Sequence, residues 1–326
     1  PILENIIMPL NELHMKNNQI EDKIKYLVEQ SNQVKDLDIK FQITKEIQKL
    51  REELNVLKKE LSLLEMPTQQ LLPDIFEEKR AIPNSFLRGA LFGVVKKGKR
   101  AIVKDANIYT MSNYDLLFSG EYLDQNDLEL WDTLIYLAKS KQIDNELRIT
   151  LYELCKVMRL TPGKLNYERL ISRASRLQFA RVGITAEKQI FLGHLLQNIY
   201  IDKDGDGKLV IIFDKHIGKL FHDKDFTLIS VDIRHILGDN QLARWLYNFY
   251  ESHNEPIPFS IEFIQKLCRS EAEPKEFKRM IRTSLELVKR AHYLVNSKSK
   301  WDYEITEKGY LIINKKGKNI IQAKLF

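Results

Sequence analysis

Residues 150–178, TLYELCKVMRLTPGKLNYERLISRASRLQ, decide how the rest of the chain is read. Thr150 can cap a helix, and Glu153 three residues on completes a capping box. Thr161-Pro162-Gly163 breaks that helix near Leu160, and a second starts near Lys164. On 3.6-residue geometry Tyr167, Leu170, Ile171, Ala174 and Leu177 share one face, and Arg169, Arg173 and Arg176 share a nearly opposite one. An apolar back and an arginine front after a tight turn suit a helix inserted into a DNA groove. An ordinary amphipathic helix with a solvated face has the same pattern, so the surrounding sequence must decide.

Outward from this stretch, Asp124–Ser140 reads as a helix with Leu128, Trp131, Leu134, Ile135 and Ala138 inward. A short strand, Leu147–Thr150, follows it. Strand-like runs occur at Asn107–Met111, Tyr114–Ser119, Val182–Thr185, Ile190–Tyr200 and Lys208–Phe213. The pattern then recurs about 110 residues on. Asn240–His253 is a helix with a central Trp. Pro256–Ser260 is extended, Ser260–Cys268 a short capped helix, and Arg269–Glu273 a break. Pro274–His292 is a long helix with Pro at its first position. Its inward face is Phe277, Met280, Ile281, Ser284, Leu287, Val288 and Ala291; Lys275, Arg279, Arg282 and Arg290 face the other way. A closing hairpin is predicted from Tyr293–Ser297 and Trp301–Ile313, turning through Lys298-Ser299-Lys300. A helix-turn-helix followed by a hairpin is a winged helix. The expected fold is mainly α with small β-hairpins, an α+β chain of two tandem winged-helix domains, at 86–225 and 226–316, with a tail at 317–326.

Before them, 1–65 is expected to be helical and coiled-coil-like. Ile43, Ile47, Leu50, Leu54, Leu57, Leu61 and Leu64 form a heptad seam, and Leu13, Ile20, Ile24, Leu27 and Val34 an earlier one. The phase breaks near Lys35–Phe41, so the segment stutters or folds back there. Self-association or partner binding through the seam is expected; a helix pair on its own core is the alternative. Residues 66–85 hold three prolines and read as a linker.

The 326 residues carry a net charge of +6 and 44% hydrophobic residues, enough for two packed domains. Residues 1–80 have 12 Lys/Arg against 15 Asp/Glu, net −3; the remainder has 39 against 30, net +9. The basic surplus favours a polyanion partner for the second part alone. No apolar run is long enough for a membrane span, and the amino end lacks a signal-peptide pattern. It also lacks an initiator Met, and a numbering that starts after processing or within a longer protein is the expectation. Cys155 and Cys268 fall in separate modules; no disulfide is expected, and a reducing cytoplasm fits.

Motifs for chemistry fall short. Asp202–Gly207 resembles an EF-hand start, but the twelfth position is Phe213 and the flanks are strand-like, so a hairpin turn is expected. Gly93–Lys99 matches most of a P-loop, but Arg100 replaces the hydroxyl that would hold Mg²⁺. Lys97, Lys99 and Arg100 are expected to form a basic loop on DNA phosphates or in solvent. The seven His never form His-x-His or His-Glu-x-x-His. No enzyme activity, cofactor or metal is expected. Two glutamine peptides, Gln69–Leu72 followed by Pro73 and Gln322-Ala-Lys-Leu325-Phe326, resemble the peptide that docks into the replicative sliding clamp.

Residues 78–183 resemble the TrfA-type plasmid replication initiators. The matching blocks are EKRAIPNSFLRGALF (Glu78–Phe92), ELWDTLIYLAK, TLYELCKVM, and ERLISRASRLQ with ARVGI; WLYNFYESHNEPIPFSIEFIQKLC (Trp245–Cys268) resembles that family's second domain. The resemblance spans about 66–315; the heptads before residue 66 lie outside it or match only loosely. It implies binding to repeated double-stranded origin sequences, the iterons, and opening of adjacent AT-rich DNA, including contact with its single strands. It also implies recruitment of the host initiator and replicative helicase, contact with the sliding clamp, and a monomer–dimer equilibrium in the bacterial cytoplasm. The residues expected at DNA are Lys164, Asn166, Arg169, Arg173 and Arg176 in the first module, and Lys275, Lys278, Arg279, Arg282 and Arg290 in the second. Lys298 and Lys300 are expected on its wing. Gln322, Leu325, Phe326, Gln69 and Leu72 are the clamp candidates. A transcriptional repressor with the same modules, or a scaffold joining helicase and clamp, are the alternatives.

Overall fold

The computed structural model describes residues 10–34, 36–65, 72–74, 76–95, 98, 100–111, 114–141, 146–186, 189–201, 208–214 and 216–315. Two compact units divide the chain, 1–67 and 68–326.

In the first unit α1 (Leu10–Gln33) and α2 (Leu37–Glu65) pack on each other. The phase break is a reversal of the chain. There the Asp36 carboxylate accepts the Asp38 and Ile39 N–H groups and starts α2. Leu13 and Ile20 of one seam and Ile47, Leu57 and Leu61 of the other are buried. Lys16–Glu53, Lys23–Glu46 and Lys58–Glu21 ion pairs link the helices, all at exposed positions where such pairs add little.

The second unit begins with β1 (Lys79–Pro83) and the short α3 (Asn84–Leu87). Then come β2 (Phe92–Gly93), β3 (Ile102–Asn107), β4 (Tyr114–Glu121), β5 (Leu123–Asp124) and α4 (Gln125–Ser140). β6 (Glu146–Ile149), α5 (Leu151–Val157) and α6 (Lys164–Phe179) follow. Next are β7 (Arg181–Ala186), β8 (Gln189–His194), β9 (Asn198–Ile201) and β10 (Leu209–Ile212). A 3₁₀ turn at Ile217–Lys224 leads to β11 (Phe226–Ser230), α7 (Val231–Leu237) and α8 (Gln241–Glu251). The chain closes with β12 (Phe259–Ser260), α9 (Ile261–Leu267), α10 (Pro274–Val295), β13 (Asp302–Ile305) and β14 (Tyr310–Asn314).

The same local arrangement is built twice. β6 leads into α5 through the Thr150 cap, with both hydrogen bonds of the predicted capping box formed. β12 leads into α9 through Ser260, which caps Phe263 N–H. A break then leads to α6 or α10. A hairpin then returns to the first strand, directly after α10 and, after α6, once β7 and β8 have intervened, giving sheet orders β6-β10-β9 and β12-β14-β13. Thr150 and Ser260, Arg159 and Arg269, and Lys164 and Pro274 are each 110 residues apart. Trp131 of α4 and Trp245 of α8 are buried, and their indole N–H groups donate to Leu195 C=O and Gly89 C=O.

Several predicted segments differ. Within the expected linker, residues 79–83 are a strand: β1 pairs antiparallel with β11, from Lys79↔Ser230 to Pro83↔Phe226. Leu72 is 4% exposed within the core. The run Ile190–Tyr200 is two strands in two sheets. β7 and β8 extend β3-β4 into a four-stranded sheet, whereas β9 joins β10. The chain changes sheets at Leu195 and Leu196, both fully buried. The predicted strand Tyr293–Ser297 is the end of α10, which runs to Val295. The closing hairpin therefore turns at residues 306–309, where Gly309 takes φ +79° and Thr306 Oγ1 accepts the Tyr310 N–H. Loop 202–207 lies outside the described residues; its flanks β9 and β10 pair as strands.

Candidate nucleic-acid interface

Sequence places α10 firmly. Phe277, Ile281, Ser284, Leu285, Val288 and Ala291 recur at three- and four-residue steps and are buried. That fixes the opposite face outward, and Lys275, Lys278, Arg279, Arg282 and Arg290 are all exposed. Arg279 grips Glu276 at 2.6 and 3.0 Å, and hydrogen bonding holds that carboxyl below its ordinary pKa. Lys289 pairs with Asp302 of β13 at 2.8 Å. Lys275, Lys278, Arg282 and Arg290 form no ion pair among the described residues. A row of exposed cations is what a polyanion requires.

The α6 front divides. Lys164 is 91% exposed at the side chain, and Arg169 is exposed beside it. Asn166 donates to Thr161 C=O and accepts from Arg169, so it ties the turn to the helix. Arg173 and Arg176 lean toward the start of α4. Arg176 reaches Asp127 through Nη2 at 2.8 Å and Nε at 3.1 Å, leaving 15% of its side chain exposed. Burial pulls the Arg173 pKa down, with Glu129, Asp124 and Asp127 acting against it.

Arg100 enters the same acidic pocket, at 2.5 Å from Asp124 and 2.9 Å from Asp127. Its guanidinium is thus taken up inside the protein rather than offered from a loop. Burial and the nearby Asp124 push the Asp127 pKa upward, against the two guanidiniums bonded to it. The signal in sequence is the stretch Asp124–Asp132, whose four acids, one at the N-cap and three in the first turns of α4, alternate with buried Leu128, Leu130 and Trp131 and so need cations inside.

Lys298 and Lys300 lie in the connection between α10 and β13, where Asn296 Oδ1 accepts the Lys298 N–H. The tip of the closing hairpin carries Lys308 instead, which the sequence reading missed because it ended α10 too early. Lys97, Lys99, Gln69, Gln322, Leu325 and Phe326 lie outside the described residues. The described Leu72 is a core residue and is not on an exposed peptide. Among the described residues no helix is long and apolar enough to cross a membrane, and no cluster of His, Cys, Asp or Glu is arranged to hold a metal ion.

The second unit thus carries a helix–break–helix arrangement twice, and α10 in the later copy bears a row of exposed cations. The chain belongs to the TrfA family, whose description is "TrfA protein" and whose match covers residues 36–303. That match takes in α2, within the heptad segment expected to lie outside the resemblance or to match it only loosely. The chain is similar to the "Plasmid replication initiator protein TrfA" of Escherichia coli, at 26% identity over 203 residues. These make up 59% of this chain and 52% of the relative, so the chain spans about half the length of the curated relative it matches. Among solved structures, domains 2 and 3 of RctB superpose with a TM-score of 0.50 at 14% identity. The superposition covers 72% of this chain and 98% of that one. It shows a shared fold.

Proposed function

We propose that this chain initiates plasmid replication by holding repeated origin DNA with two tandem winged-helix modules. The carrying observation is the basic row on α10, set on the second helix of an arrangement that the chain builds twice. Membership of the TrfA family and the name of the Escherichia coli relative support the same reading. Exposed Lys and Arg neutralise phosphates, release counterions and make binding salt-dependent. Base edges are read from the front of each second helix, by Lys164, Asn166 and Arg169 on α6 and by Lys275, Lys278, Arg279 and Arg282 on α10. Arg290 and the hairpin residue Lys308 lie further along and touch backbone; Arg173, Arg176 and Arg100 support α6 from behind.

On this reading binding is followed by opening of AT-rich DNA and recruitment of the host initiator, helicase and sliding clamp. α1 and α2 serve self-association. The test is the double variant Arg279→Ala/Arg282→Ala on duplex bearing the origin repeats, at moderate salt. A loss of about 2–5 kcal/mol in binding is expected from two base-reading side chains. Wild-type affinity in that variant removes α10 as the reader. Repression without origin-dependent unwinding would mark a transcriptional repressor instead.

A further inference from the structure

Arg159 and Arg269 occupy one structural position in the two modules. Each closes the first helix of its helix-turn-helix with the same pair of bonds. Arg159 N–H reaches Lys156 C=O and Leu160 N–H reaches Cys155 C=O; Arg269 N–H reaches Lys266 C=O and Ser270 N–H reaches Gln265 C=O. This is the Schellman turn, whose left-handed residue is usually glycine. Here it is arginine both times, at φ +56° and +54°. An L-residue there costs roughly 1–2 kcal/mol, so the side chain should do something a glycine cannot.

Both side chains cross to the other module. Arg159 Nη1 donates to Asp232 at the start of α7, at 2.7 Å. Arg269 donates to Ala90 C=O at 3.0 Å and Leu123 C=O at 3.2 Å, with its guanidinium 3.7 Å from the Tyr122 ring centroid. Burial lowers its pKa to about 10, so it remains a cation at neutral pH. The backbone adds a third tie, Val94 N–H to Cys268 C=O at 2.7 Å. Each arginine stands five residues before the exposed helix of its own module. The two turns that aim α6 and α10 are therefore tied directly to the opposite module, in addition to the Asp132–Arg234 and Glu129–Arg244 pairs that also join the modules.

We infer that Arg159 and Arg269 are positioning residues that fix the distance and rotational phase between α6 and α10, so that the protein accepts two DNA segments at one spacing only. This rests on the DNA-binding reading above. Neither arginine needs to touch DNA. Stability alone would also account for the contacts, but it would not set a spacing requirement.

The probe is a 30-base-pair duplex enriched from a random library by the full chain, compared with the same duplex carrying five extra base pairs at its centre. Five base pairs are about half a helical turn, so the insertion turns one half of the site away. Wild type should bind the interrupted duplex at least about tenfold more weakly, because one module loses its contacts. Arg159→Ala/Arg269→Ala should bind the parent duplex more weakly yet lose less than about threefold on insertion. The single variant Arg159→Ala, which removes only a half-exposed ion pair and leaves the core intact, should relax the ratio in the same direction. A ratio as large as that of wild type in both variants overturns the inference while leaving DNA binding intact.

A second arm needs no DNA. Spin labels at Lys164→Cys and Lys278→Cys report the α6–α10 distance, since the native Cys155 and Cys268 are buried. The distance distribution should broaden measurably in the double variant, as the ties at the two turns are lost while the Asp132–Arg234 and Glu129–Arg244 pairs remain. An unchanged width overturns the inference. Failure of any duplex to enrich would refute the DNA reading instead, and the distance arm would still decide whether the arginines fix the joint.

Discussion

Replacing Asp132 by asparagine should strongly destabilise the second unit. Asp132 lies on α4 with its side chain 0% exposed, and Arg234 of α7, 2% exposed, binds it at 2.5 and 3.0 Å. Burial alone would pull the Arg234 pKa down; the Asp132 carboxylate outweighs it and holds Arg234 above its ordinary value. Arg80, also buried, leans on the same carboxylate. The other acid nearby, Glu129, pairs with Arg244 at 2.8 Å. Removing the Asp132 charge therefore leaves buried guanidinium without its counterion. Breaking such a pair costs about 3–5 kcal/mol, and the retained amide oxygen favours the lower end. At roughly 2–4 °C per kcal/mol for a unit of this size, Tm should fall by about 6–12 °C. Scanning calorimetry on the full chain reads this directly. The paired variant Asp132→Leu/Arg234→Met, which removes both charges, should recover most of the loss. An asparagine variant melting within about 2 °C of wild type would refute the argument that this pair holds α7 against α4.

Three further outcomes follow from the same geometry. Gly93→Ala puts a Cβ 2.9 Å from Cys268 C=O, a backbone atom that cannot swing away, so the denaturant midpoint should drop by about 1–3 kcal/mol equivalent. Thr150→Val removes the α5 cap and should cost about 1 kcal/mol. Hydrogen bonds from the Thr150 N–H and hydroxyl hold the Glu153 carboxyl below its ordinary pKa. Their stabilisation is therefore complete above about pH 4.3 and lost as pH falls through the lower folded value. The variant keeps the N–H bond and loses the hydroxyl one, so the gap to wild type should narrow in acid but not close, because the cap on the Glu153 N–H does not titrate. Lys278→Ala/Arg282→Ala should flatten the log–log salt dependence of DNA binding by about 2, whereas Arg176→Ala should lower thermal stability and leave that slope nearly unchanged.

What was legible in the sequence was local. The Thr150 and Ser260 caps, the Pro274 start and the apolar stripe of α10 depend on neighbours within four residues, and all are formed. The reversal between α1 and α2 was open until the Asp36 cap was seen. What was hidden depends on partners far away. β1 is too short and too charged to show alternation, and it exists because β11, some 150 residues on, supplies its hydrogen bonds. Arg173 and Arg176 lie in line with Arg169 on the helix wheel, yet the acids at the start of α4 draw them inward. Periodicity gives the face of a helix; it cannot say which neighbour the edge of that face meets. The hairpin tip lies at residues 306–309 rather than Lys298–Lys300 because the long helix runs on to Val295 and the first hairpin strand, β13, starts only at Asp302 and finds its register on β14.

The central claim is that the repeated module binds origin DNA. The most direct measurement is fluorescence anisotropy of the full chain on labelled duplex carrying the origin repeats of its own plasmid, against a scrambled duplex of equal composition, between about 50 and 200 mM salt. The repeats should be bound at least about a thousandfold more tightly than the scramble. With four unpaired cations on α10, the affinity should fall with a log–log slope of about −4 or steeper. Equal affinity for the two duplexes, with a slope near zero, would contradict the account.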